Sequence, residues 1–123
     1  IDTVKDNAQL QLIRAAGIKW LCLGIENAEK RVRMEVTKGK FADVDIRDVV
    51  KIVHDADVDI IANYLFGLPG DDHASMQKTL ELGLSLCTVA WNGYAAMALP
   101  GSALYKNALE KNQQLLRNWM IDL

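Results

Sequence analysis

Apolar positions along the chain change period several times, and each change marks an element. From Asp6 to Ala16, Leu10, Ile13 and Ala16 recur three or four apart, the spacing of one helix face, and Gly17 follows where a helix C-cap favours glycine. Trp20 to Ile25 (WLCLGI), with Glu26 at its end, is a short continuous apolar run, which predicts a strand buried on both faces, as in parallel sheets. After a polar stretch holding Lys38 and Gly39, the span Asp45 to Ala56 returns to helical spacing through Ile46, Val49, Val50, Val53 and Ala56, with Asp45 as N-cap. Ile60 to Leu68 (IIANYLFGL) is the next apolar run and closes at Pro69-Gly70. Asp71 and Asp72 then cap a helix on which Met76, Leu80, Gly83, Leu84 and Cys87 share a face. Val89 to Leu99 is a third strand, stopped by Pro100-Gly101, and a helix runs from about Ser102 to Asn112.

Strands and helices therefore alternate, which predicts an α/β fold of about three βα units around a parallel sheet. Ala16-Gly17-Ile18-Lys19-Trp20 leads into the first strand much as Ala56-Asp57-Val58-Asp59-Ile60 leads into the second, a weak internal repeat of that unit. Three strands cannot close a barrel and leave two sheet edges open. A chain of 123 residues opening at Ile1 rather than methionine is accordingly expected to be part of a larger fold.

Composition narrows the function classes. Half the residues are hydrophobic and 24% are charged, as in an ordinary globular core. A net charge of −2, with Lys and Arg scattered among acids, offers no footprint for nucleic acid. No apolar run approaches the roughly 20 residues of a membrane helix, so a cytoplasmic location is expected. Cys22 and Cys87 stand too far apart for a metal motif and read as small buried residues. His54 and His73 lack partners at ligand spacing, and Trp20 and Trp91 read as core.

Candidate chemistry lies at the carboxyl ends of the strands, where loops surround the open end of a parallel sheet. Alternation puts Cys22, Gly24 and Glu26 on one face and Leu23 and Ile25 on the other, so the small residues leave room beside Glu26. Glu26 is either a ligand-facing acid or a solvated acid pairing a lysine. Asn63 interrupts an apolar strand and needs a partner, because an unpaired buried amide costs roughly 1–3 kcal/mol. Asn63, Leu65 and Gly67 share a face, and Gly67-Leu68-Pro69-Gly70 forms the exit turn, where glycine permits close backbone approach. That turn lacks the Lys-Ser/Thr of a phosphate-binding loop.

Three segments, Leu23-Gly24-Ile25-Glu26, Asn63 to Asp71 (NYLFGLPGD) and Ala98 to Tyr105 (ALPGSALY), occur in order on three successive predicted strands. Together they resemble the radical S-adenosylmethionine (SAM) superfamily, particularly the branch often carrying an upstream cobalamin-binding domain, with its GIE strand end, GLPGE/D-T turn and PGT-x-LY turn. The resemblance covers residues 1–112 and leaves 113–123 as an unassigned tail. It implies a TIM-like partial (β/α)₆ barrel in which this chain supplies the fourth to sixth strands, with Ile1-Asp2 ending the third. It further implies that Glu26 faces the ribose or methionine part of SAM, that Asn63 bonds the ribose hydroxyls, and that Leu65 lies against the adenine. Gly67 belongs to the same wall, the backbone of Ala98 and Leu99 bonds the adenine edge, and Lys38 points toward the methionine carboxylate.

In such enzymes a 4Fe–4S cluster cleaves SAM to a radical that takes a hydrogen atom from substrate. The CxxxCxxC that would bind the cluster is absent here, so the cluster, the missing N-terminal half of the barrel and any cobalamin belong to the parent protein, and this stretch alone is expected to be inactive. Two departures, Gly-Asp-Asp for Gly-Glu-Thr and Gly-Ser-Ala for Gly-Thr-Pro, keep the turn chemistry. The substrate is not legible, and the competing expectation is a non-catalytic α/β binding or assembly module.

Overall fold

The computed structural model describes residue 4 and residues 6–37, 44–86 and 88–111. Lys38, Gly39, Cys87, Asn112, Trp119, Ile1-Asp2 and the 113–123 tail lie outside them. Eight elements follow one another: α1 (Asn7–Ala15), β1 (Trp20–Glu26), α2 (Lys30–Thr37), α3 (Ile46–Asp55), β2 (Asp59–Phe66), α4 (His73–Ser85), β3 (Ala90–Ala95) and α5 (Ala103–Lys111). The strands form one parallel sheet in the order β1-β2-β3, so the three carboxyl ends meet along one edge. The expected mixed α/β chain with a three-stranded parallel sheet is what forms.

Helix starts follow the acidic caps. The Asp6, Asp45 and Asp72 carboxylates accept from Ala8 N, Arg47 N and Ser75 N, and Ser75 Oγ returns a bond to Asp72 N in a full capping box. The weak repeat is also real geometry. Gly17 (φ +84°) and Asp57 (φ +57°) both turn left-handed after their helices, and Ile18 N and Val58 N reach back to Ile13 O and Val53 O. An Arg14–Asp57 ion pair ties the two turns together.

The core lies on one side of the sheet. Leu23, Ile25, Ile60, Ala62 and Tyr64 point to that side and are buried with Val49, Val50 and Val53 of α3 and Leu86 after α4. On the opposite face, no described element covers Trp20, Cys22, Glu26, Asn63, Asn92 and Tyr94. Burial of β1 on both faces is therefore not observed: Trp20 is 56% exposed and Cys22 is exposed, because only its Leu23/Ile25 face meets helices. Trp91 is also partly exposed at the sheet edge, its ring meeting Tyr64 edge-on at 6.1 Å.

Three further differences have local causes. The polar stretch after β1 contains α2, a strongly polar helix whose buried face is Val32 and Arg33. The third strand ends at Ala95, short of Leu99. Helix α4 buries Gly83 as expected, but together with Ser75 and Thr79 rather than Leu80 and Leu84, and Leu84 is 68% exposed. Small residues four apart let the helix sit close to the sheet: a Cβ on Gly83 would stand 3.3 Å from the Tyr64 ring.

Candidate functional site

The parallel order brings Glu26, Asn63, Leu65 and Gly67 to one end of the uncovered face, with Ala98 and Leu99 following β3 at the same end. Lys38 lies outside the described residues. Asn63 sits in a polar row across the sheet, since Gly24, Asn63 and Asn92 are register partners. Asn63 Nδ2 donates to Cys22 Sγ (2.9 Å) and Asn92 Nδ2 donates to Asn63 Oδ1 (3.0 Å). Among the described residues, one Asn63 N–H and one carbonyl lone pair have no partner. Leu65 is half-buried beside this row and Gly67 is exposed with φ +79°.

Glu26 ends β1 in an unusual turn. The register slips between Gly24 and Glu26, Glu26 has φ +69°, and Asn27 N donates to Ile25 O (2.9 Å), closing a three-residue turn of the rare, strained kind. The slip folds the side chain back over the sheet, where a Cβ on Gly24 would be 2.3 Å from Glu26 Oε1. The room expected from Gly24 is thus filled by the Glu26 carboxylate. Burial raises its pKa above the ordinary value, and among the described residues it meets no cation and accepts no hydrogen bond, so pairing with a lysine is not observed.

At β3 the two backbone candidates differ. Leu99 N donates to Met97 O, and Leu99 O accepts from Ser102 N and Ser102 Oγ, which starts α5. The Leu99 peptide groups are committed locally, whereas those of Ala98 have no partner among the described residues.

Sequence reading missed Asn27, which is fully buried. Its Nδ2 donates to Asp71 Oδ1 (3.0 Å) and Oδ2 (3.1 Å), its Oδ1 accepts from Glu29 N (2.9 Å), and its carbonyl accepts from Arg33 Nη1 (2.9 Å). Asp71, expected as a helix cap, instead collects Gly67 N (3.0 Å), Leu68 N (3.1 Å) and Ser75 Oγ as well. The signal for this network was the polar residue directly after Glu26 and the doubled acid after Gly70.

Among the described residues, no group of three His, Cys, Asp or Glu could hold a metal ion, and no helix is long and apolar enough to cross a membrane. No known protein family's profile matches the chain, and no curated protein is significantly similar to it.

Proposed function

We propose that this chain forms the latter half of a radical SAM barrel, cytoplasmic in location, and one wall of its SAM pocket. The carrying observation is the uncovered carboxyl-end face, where the Glu26 carboxylate, unpaired among the described residues, and the half-committed Asn63 amide lie over a parallel sheet. A half-buried carboxylate without a cation suits a ligand bearing hydroxyls or an ammonium, and SAM has both. In this reading Glu26 takes the ribose or methionine part, Asn63 bonds the ribose hydroxyls, Leu65 and Gly67 form the surface for the adenine, and Ala98 supplies backbone groups to its edge. Leu99 contributes its side chain rather than its peptide, and Lys38, outside the described residues, is the candidate partner of the methionine carboxylate.

Bound SAM, with a 4Fe–4S cluster, supplies radical initiation. These residues bind and orient it. The cluster's thiolates come from the parent's N-terminal half, since the sequence here has no CxxxCxxC. Calorimetry with SAM on the complete protein tests the assignment. Asn63→Ala should weaken binding by about 1–3 kcal/mol through the lost hydrogen bonds. Undiminished affinity rejects the role of Asn63, and a complete protein that binds no SAM favours an assembly module instead.

A further inference from the structure

The turn after β1 and the turn after β2 are separated by more than forty residues of chain, yet one side-chain pair holds both. Every polar group of Asn27 is engaged: its N–H closes the strained turn at Glu26, its carbonyl takes Arg33, its Oδ1 takes Glu29 N, and its amide nitrogen spans both oxygens of Asp71. Asp71 meanwhile holds the amides of Gly67 and Leu68, fixing the left-handed turn at Gly67. A strained residue persists only where its surroundings over-determine it, and Glu26 is over-determined through its neighbour.

We propose that Asn27 and Asp71 form a latch that fixes these two turns relative to each other, which makes both of them positioning residues for Glu26 and for the backbone at Gly67. The ligand-facing part of this inference rests on the SAM reading; the mechanical part does not. Other ties cross the same gap. Arg31 donates to Gly70 O, Lys78 pairs with Glu29, and Ala28 N donates to Thr79 Oγ1, but none of these bonds engages Glu26, Gly67 or Leu68. Among the described residues, the Asn27–Asp71 pair is the side-chain tie that reaches both turns.

Amide hydrogen exchange in the complete protein, without ligand, tests the coupling, because each turn can be perturbed and the other read. Asn27→Ser should speed exchange at Gly67 and Leu68, and Asp71→Asn should speed it at Asn27, each by about tenfold or more, while Ala62 in the sheet keeps its protection. The swap Asn27→Asp with Asp71→Asn re-forms an amide–carboxylate pair and should recover most of the protection. Lys78→Met, which cuts only the exposed ion pair, should change neither site. Equal acceleration at Ala62, or no response of one turn to a change in the other, overturns the latch. With SAM present, both single variants should raise Kd by about tenfold, or about 1.4 kcal/mol. A wild-type protein that binds no SAM but shows the exchange pattern refutes the cofactor reading and keeps the latch; normal SAM binding with an unresponsive exchange pattern does the reverse.

Discussion

Tyr64 gives the sharpest energetic prediction. Its ring is 1% exposed between Gly83 and Trp91, and its hydroxyl is buried with no hydrogen-bond partner among the described residues. In the unfolded chain that hydroxyl is hydrated, so folding strips it of water for nothing, at a cost of roughly 1–3 kcal/mol. Tyr64→Phe removes the penalty and forfeits only a few dispersion contacts of roughly 0.1–0.2 kcal/mol each. The variant should be more stable at neutral pH by about 1 kcal/mol, read as a higher urea midpoint with an unchanged slope.

A second limb follows from ionisation. Burial pushes the Tyr64 phenol up from 10.0 to about 12. Between those values the unfolded chain releases a proton that the folded chain keeps, so stability is intact below pH 10 and falls as pH rises toward 12. The advantage of the Phe variant should therefore widen by about 1.4 kcal/mol per pH unit above pH 10. Taking the difference between the two proteins removes the titration of lysines and of the other tyrosines. Parallel stability curves from pH 7 to 11.5, or a less stable Phe variant at pH 7, would show that the hydroxyl has a partner and refute the argument.

Two further outcomes concern Glu26. Its carboxyl is raised by burial, so ionising it destabilises the fold as pH rises through its folded pKa; Glu26→Gln should be more stable than wild type at pH 7 and lose that advantage in strong acid, as chemical denaturation at the two pH values will show. Gly24→Ala places a methyl where Glu26 Oε1 lies, and because a flexible side-chain end can swing away, stability should change by less than about 1 kcal/mol. The Glu26 titration, followed by carboxyl NMR, should then move back toward the ordinary carboxylate value, and an unchanged titration would mean that the carboxylate does not rest on Gly24.

The alternation of elements apart from α2, the caps at Asp45 and Asp72, and the facing of Cys22, Gly24 and Glu26 were legible because they depend on local spacing and local hydrogen bonds. The burial of Trp20, Trp91 and Cys22 was misjudged because apolar character does not say which face of a sheet finds a cover. Helix α4 differs for a related reason: the hydrophobic rule ranks Leu80 and Leu84 above Ser75 and Thr79, whereas the close approach to Tyr64 at Gly83 rewards small size along that face. Asn27 was invisible because its partner lies forty-four residues away, and no short-range pattern reports a contact at that range.

The small-residue seam of α4 also gives the helix a mechanical character. Gly83 rests on the Tyr64 ring at one end, and Ser75, roughly 12 Å along the axis at 1.5 Å per residue, bonds to Asp71 at the other. Between them Thr79 accepts from Ala28 N, so the rod is pinned along its length to the segment that carries Asn27. Helices resist bending, and a side chain added at Gly83 would tilt this one like a lever about its middle pin. Its far tip would drag on Asp71, and the alignment of the ligand-facing edge would then be set by packing a little over two turns away from Ser75.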